Sequence, residues 1–295
     1  MSKEIKGALL SVLGGICWGL SGSMGQFLFT HEGMDSRWLV PVRLSISGIV
    51  LALYCLVRYR GRFFDVWKTK KNAVDMLVYG LAGISFCQFL YFLTIQLSTA
   101  GVATILQDLS PIFILAVNCL MTHTRPTIRE VEAIVLALVG VALISTHGNF
   151  TNMAVSPVAI LTGTACAVCV MIYNVEPKKL LEQFPVTILQ GWAFLMGGIF
   201  FSLVFRVWTI HYVPGILGYI GIAFVVFVGN VFAFTTYITG VHLIGPSKAI
   251  LYGFSEPLTA AVVSTVFMHS SFGIYDAIGF ACVFLMLALI SSKKE

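Results

Sequence analysis

Tyr91–Thr146 reads YFLTIQLSTAGVATILQDLSPIFILAVNCLMTHTRPTIREVEAIVLALVGVALIST, and Tyr237–Ser292 reads YITGVHLIGPSKAILYGFSEPLTAAVVSTVFMHSSFGIYDAIGFACVFLMLALISS. Laid over one another at an offset of 146 (237 minus 91), the two run to their ends without a gap. Tyr91 meets Tyr237, Leu97 meets Leu243, Ala103 meets Ala249, Pro111 meets Pro257 and His123 meets His269, and both close on ALIS, Ala142–Ser145 and Ala288–Ser291. Both stretches are long apolar runs interrupted only briefly, so the unit that recurs is a set of hydrophobic helices.

The composition agrees. Of 295 residues, 58% are hydrophobic and 11% charged, against about 25% charged in a soluble domain. That leaves too little polar surface to coat a soluble fold, and the excess needs lipid as solvent. A span takes about 20 mostly apolar residues. Ten stretches qualify: 7–29, 36–57, 74–97, 100–121, 129–146, 156–175, 186–205, 215–242, 246–268 and 275–292. The fold expected is an all-α polytopic membrane protein, with a first five-helix unit over 1–148 and a second over 149–295. The first run follows Lys3 and Lys6 as a signal peptide would, but it is too long for one and no small-residue cleavage site follows, so it reads as span one.

Lysine and arginine set the orientation. With the N-terminus inside, Lys3, Lys6, Arg58, Arg60, Arg62, Lys68, Lys70, Lys71, Arg125, Arg129, Lys178, Lys179, Lys293 and Lys294 fall inside and only Arg37 and Arg206 outside. Both termini are therefore expected in the cytoplasm, in a bacterial inner membrane. Five is odd, so two units in series have opposite orientation, the inverted repeat of many secondary transporters.

Four ionisable residues remain inside spans: Arg43, Asp108, Lys248 and Glu256. A charge at mid-membrane costs about 2.5 to 3.5 kcal/mol on insertion scales and marks a cavity or a partner. Glu256 lies about ten residues, or 15 Å, into span nine, at the midplane. It can take up a proton or face a substrate ammonium; it can equally cap backbone freed by Pro257. Arg43 and Asp108 enter from the outside to matched depth, which predicts an ion pair, either an outer gate or a fixed strut; Arg43 can instead bind a substrate carboxylate. Lys248 sits where a lysine snorkels to the interface, and its spacing to Tyr252 and Glu256 puts the three along one drifting face. Trp18, Gln88, Tyr91, Tyr173, Asn174, Asn230, Tyr237 and Tyr252 are cavity-lining candidates, each also able to act as packing between helices. Tyr91 and Tyr237 hold equivalent repeat positions, which would set them on opposite walls.

These residues resemble a known family. Trp18-Gly19 is similar to the WG motif in span one of the EamA-like branch of the drug/metabolite transporter superfamily. Arg43 matches its arginine early in span two, Gly245-Pro246-Ser247-Lys248-Ala249 with Glu256-Pro257 its ninth-span signature, and Pro111 the fourth-span proline. The resemblance implies a central cavity lined by spans one to four and six to nine, with five and ten peripheral and three, four, eight and nine moving between inward-open and outward-open states. The counterpart of Glu256 in the first unit is Ser110, with Asp108 two residues earlier, which departs from a symmetric carboxylate pair.

Other chemistries find little support. The six histidines sit at span ends without ligand spacing, so no metal is expected. No Walker sequence is present, so ATP does not drive the chain directly, and no cofactor is expected. No nucleophile elbow or histidine–acid pair supports an enzyme. The basic segment Arg58–Lys71 fits a lipid surface better than nucleic acid. Cys17, Cys55, Cys87, Cys119, Cys166, Cys169 and Cys282 lie in apolar runs, and the mid-helix pair Cys166 and Cys169 reads as small buried hydrophobes. The partners expected are the bilayer, a small-molecule substrate and protons; the sequence leaves oligomeric state open. The function expected is secondary transport by alternating access, with export of amino acids or related metabolites favoured by the resemblance. Uptake or exchange of an amine, nucleoside or sugar, and a non-transporting scaffold or sensor, are the alternatives.

Overall fold

A computed structural model describes residues 2–123, 125–146, 155–175, 178–244, 249, 252–253, 255–268 and 273–291. Among them there are helices and connecting turns and no strand. The principal helices are α1 (Lys3–Thr30), α2 (Ser36–Tyr59), α3 (Lys70–Leu97), α4 (Ala100–Thr122), α5 (Ile128–Thr146), α6 (Pro157–Val175), α7 (Val186–Phe205), α8 (Ile216–Ile244), α9 (Ser255–Met268) and α10 (Ile274–Ser291). Nine of them stand over expected apolar stretches, and α9 covers the later part of the stretch 246–268, of which 246–248, 250, 251 and 254 lie outside the described residues. Six are long and apolar enough to cross a membrane, α1 to α4, α7 and α8; shorter apolar runs lie at Pro157–Tyr173 and Ile274–Met286.

Local chemistry accounts for the ends. Ser2 Oγ accepts from Ile5 N at 3.2 Å, Thr69 Oγ1 from Asn72 N at 3.2 Å, Thr99 Oγ1 from Val102 N at 3.2 Å and Ser156 Oγ from Ala159 N at 3.2 Å. Each satisfies an amide that the first helical turn leaves open. Before α5, Glu130 Oε2 accepts from Thr127 N at 2.6 Å; before α10, Asp276 Oδ2 accepts from Gly273 N at 2.7 Å. These two capping carboxylates are 146 residues apart (276 minus 130), the offset of the sequence repeat. α2, α4 and α7 stop on residues with positive φ: Arg60 at 53°, His123 at 52° and Arg206 at 48°.

Two helices depart from simple α geometry in the same way. α3 is a π-helix over Leu77–Ser85 and α8 over Val225–Phe232, and the offset of 146 carries 77–85 onto 223–231. α4 breaks at Asp108–Leu109, just ahead of Pro111, which has no amide hydrogen to continue the ladder.

The helices pack in matched pairs: α2 on α7, α5 on α10, α1 on α8 and α9, and α6 on α3 and α4. Exchanging helices one to five for six to ten maps this set onto itself. Small residues make the contacts close. A Cβ placed on Gly140 would lie 2.8 Å from the Gly279 carbonyl oxygen, and one on Gly279 2.8 Å from that of Gly140. Along α1, Gly14 faces Tyr237, Gly15 faces Ser255, Gly19 faces Glu256, Gly22 faces Tyr91 and Gly25 faces Phe92, while Ile5, Leu9 and Leu13 point outward and are exposed. Outward apolar faces of this kind belong in hydrocarbon.

Candidate functional site

A cavity of about 460 Å³ lies at the centre of the bundle, within the range of small-molecule sites. Among the described residues its lining comes from α1 to α4, α6 to α9 and Gly253, and none of it from α5 or α10. It reaches Val186 at the start of α7, Ile114 in the second half of α4 and Val241 near the end of α8. The opposite end is closed. Gln26 Oε1 of α1 accepts from Ala100 N at the start of α4 at 2.9 Å, and Gln96 Oε1 of α3 accepts from Ser36 N at the start of α2 at 2.8 Å. Each glutamine caps a neighbouring helix, and Phe29 packs edge-on to Phe92 between them.

Trp18, Arg43, Gln88, Tyr91, Tyr173, Asp108, Asn230, Tyr237 and Glu256 all line this space. Tyr252 is 40% exposed and outside the lining. Lys248 and the side chain of Asn174 lie outside the described residues.

Arg43 is 2% exposed and stands at the closed end. Its Nη2 donates to Asn230 Oδ1, and Asn230 Nδ2 donates to Ser47 Oγ at 2.8 Å, so α2 and α8 are tied through one polar chain. The guanidinium carbon lies 3.9 Å from the centroid of the Phe92 ring, where the π face partly offsets the charge. Nε and Nη1 are buried without a hydrogen-bond partner. The ion pair expected between Arg43 and Asp108 is not formed: among the described residues the ion pairs are Arg37–Asp35 and Lys68–Asp65. Matched depth was the basis of that expectation, and depth says nothing about the direction a side chain takes around its helix axis. Asn230, from the other half of the chain, takes the guanidinium instead.

Asp108 sits at the break in α4, with Oδ2 buried and unpartnered. Glu256 lies in α9, with its backbone against α1 at Gly15 and Gly19. Both residues line the same cavity. Tyr91 lines the same cavity, and its hydroxyl hydrogen-bonds Thr104 Oγ1 at 2.9 Å. Trp18 and Tyr237 pack at 4.9 Å between centroids. Tyr91 and Tyr237 both line the cavity and both contact α1, at Gly22 and Gly14.

Further lining residues escaped the sequence reading: Gln107, Gln190, Cys87 and Phe92. Gln190 is 2% exposed with Oε1 unpartnered, and its amide in an otherwise apolar span was a legible signal. Gln107 neighbours Asp108, and its position marks it only in hindsight. Cys87 and Phe92 carried no signal, being ordinary residues of an apolar helix.

A bundle of apolar helices around a cavity that holds an arginine, two carboxyls and a ring of aromatic amphipathic side chains is the architecture of a membrane transporter. The comparisons agree. The EamA-like transporter family profile matches twice, over residues 5–146 and 157–292, and the chain belongs to that family. It is 30% identical over 291 residues to the uncharacterized inner membrane transporter YicL of Salmonella typhimurium, covering 99% of this chain and 97% of that one. It is 23% identical to an uncharacterized transporter of Archaeoglobus fulgidus over 94% of this chain and 95% of that one. It is 22% identical to the uncharacterized transporter YvbV of Bacillus subtilis over 98% and 92%. A solved crystal structure aligns over 98% of both chains with a TM-score of 0.64 at 18% identity, a likeness of fold.

Proposed function

We propose that this protein is a secondary transporter of ten spans in two inverted five-span halves. It works by alternating access in the inner membrane with both termini cytoplasmic, and it exports an amino acid or a closely related metabolite. The matched helix pairs, matched π segments and matched capping acids support the two-fold arrangement. With the N-terminus inside, the cavity opens toward the cytoplasm and the Gln26 and Gln96 contacts close the outside, an inward-open state.

One observation carries the substrate class. Helix α1 serves as a ruler for the residues if not for their side chains: Gly19 meets the Glu256 backbone carbonyl, and Gly25 meets the Phe92 ring, on which Arg43 lies. Six residues of helix make about 9 Å. The ammonium and carboxylate of an α-amino acid are about 3 Å apart, and a charge-assisted hydrogen bond of about 2.8 Å at each end brings the total near 9 Å. Arg43 would take the carboxylate, Glu256 with Asp108 the ammonium, and the aromatic walls the side chain. Glu256 is also the group placed to exchange a proton for substrate during the cycle.

Counterflow in proteoliposomes tests this. Vesicles are loaded with one unlabelled solute at a time from amino acids, amines, nucleosides and sugars, and entry of the labelled solute is followed. Accumulation with amino acids, lost in Arg43→Met, is expected. Accumulation confined to another class overturns the amino-acid assignment, and silence across the panel with folded protein favours a non-transporting role.

A further inference from the structure

The cysteine spacing pointed to Cys166 and Cys169 on one helix, whereas the structure turns Cys166 toward α3. Its Sγ lies 3.6 Å from Cys87 Sγ. The Cys166 thiol donates to the Cys87 carbonyl oxygen at 3.4 Å and reaches Gln107 Oε1 at 3.5 Å, and the Cys87 thiol points to the same Gln107 oxygen at 3.8 Å. One amide oxygen therefore gathers two thiols from the two halves of the chain. Cys87 lines the cavity, and Cys166 is 0% exposed behind it. An accessible sulfur backed by a second one is the arrangement of an attacking and a resolving cysteine.

We propose that Cys87 and Cys166 are an oxidation site at which a hydroperoxide entering the cavity closes a disulfide that pins α3 to α6 and arrests transport. The Cys87 thiolate attacks the outer oxygen of the hydroperoxide, the O–O bond breaks, and the alcohol leaves with the proton, giving a sulfenic acid. The Cys166 sulfur then displaces hydroxide from that sulfur; the S–S bond forms, the S–O bond breaks and water leaves with the Cys166 proton. Two thiols are oxidised and one peroxide is reduced. The sulfurs must close from 3.6 Å to about 2.05 Å, within reach of side-chain rotation. α3 carries Gln88, Tyr91 and Phe92 of the cavity wall and α6 carries Tyr173, so the bridge locks two neighbouring wall helices, one from each half of the chain. Arrest rests on the alternating-access reading above; the chemistry of the pair does not.

The test uses the full chain in proteoliposomes, treated with tert-butyl hydroperoxide and then dithiothreitol, with peptide mass mapping and counterflow read on the same sample. A mass loss of about 2 Da in a cross-linked pair containing Cys87 and Cys166 is expected, absent in Cys87→Ser and in Cys166→Ser and retained in Cys169→Ser. Counterflow is expected to fall at least tenfold, to recover with dithiothreitol, and to escape this arrest in Cys166→Ser, the sulfur lost there lying outside the cavity lining. A bridge between Cys166 and Cys169, or none, overturns the site. A complete Cys87–Cys166 bridge with unchanged counterflow overturns the pinning. Counterflow silent before oxidation speaks against the transport reading, and the mass map then still decides the site.

Discussion

Asn230→Leu should destabilise the protein far more than the loss of one ordinary hydrogen bond, because of what it leaves behind. Asn230 Oδ1 is the hydrogen-bond acceptor of a guanidinium whose Nε and Nη1 already lack partners. Leucine removes that acceptor and leaves a cation only 2% exposed resting on Phe92. A hydrogen bond to a charged group contributes about 1.5 to 3 kcal/mol, and stranding a buried charge costs about 3 to 5 kcal/mol, so about 3 kcal/mol is expected. Arg43→Met removes the charge instead and leaves Asn230 its bond to Ser47; about 1 kcal/mol follows for one unpaired acceptor. The double variant replaces the pair by apolar groups, which is often nearly neutral, so a coupling of at least about 2 kcal/mol should appear in the cycle. In thermal unfolding of the purified protein, Asn230→Leu should lower Tm by roughly 6 to 10 °C, and adding Arg43→Met should restore most of it. If the two single effects simply add, Arg43 does not depend on Asn230 and the description of the closed end is wrong.

Glu256→Gln should flatten the pH dependence of transport while leaving counterflow of a neutral-pH substrate measurable; an unchanged profile removes Glu256 as the proton site. Gly19→Leu should prevent α9 from seating, since a Cβ there already lies 2.6 Å from the Glu256 carbonyl oxygen and 2.8 Å from Thr259 Cβ, and detergent-extracted protein should melt several degrees lower; Gly61→Leu, with open space around it, should not. Gln26→Ala frees the first amide of α4 and should raise labelling, by an impermeant maleimide from outside, of a cysteine introduced at Ser21. Arg37 beside Asp35 holds that carboxyl below the usual aspartate range, chiefly through its side-chain hydrogen bond. A depressed native value contributes stability above the unfolded value, about 3.9, and loses it as pH falls through the native one. Between pH 5 and 3 the wild type should therefore lose more thermal stability than Asp35→Asn.

Much of this was legible in the residues because lipid imposes a simple demand: apolar length makes spans, and loops need charge or turns. The repeat survived in Tyr91 and Tyr237 and in the ALIS tails, and the capping carboxylates Glu130 and Asp276 keep the same register in space. Buried polarity told where to look, and Arg43, Asp108 and Glu256 do share a cavity. Partnership was not legible. Asp108 and Arg43 match in depth, but azimuth around each axis decides contact, and azimuth accumulates through features that hydropathy does not record. The π segments of α3 and α8 are such features: each turns everything beyond it relative to an α-helix, including Cys87 in one and the residues after Asn230 in the other. Cys166 paired with Cys87 for the same reason, since a contact between helices from different halves has no spacing signature.

The glycine face of α1 has a mechanical consequence. Helices that interlock large side chains resist sliding, because each knob must climb out of its hole before the next is reached. α8 and α9 meet α1 largely across Gly7, Gly14, Gly15 and Gly19, where the near atoms of those helices press directly on the α1 backbone and α1 presents no side chain of its own. Such a seam behaves as a plain bearing: it bears load across the contact, holds the axes close, and offers little friction along or around them. α2 and α7 close in the same way, at Gly48 against Leu195 and at Gly198 against Ser45, whereas the Phe86, Phe89 and Phe201 rings key α3 to α7 beside them. A molecule that slides on its glycine seams and is keyed where phenylalanine rings interlock has its axis of rotation chosen before any substrate arrives.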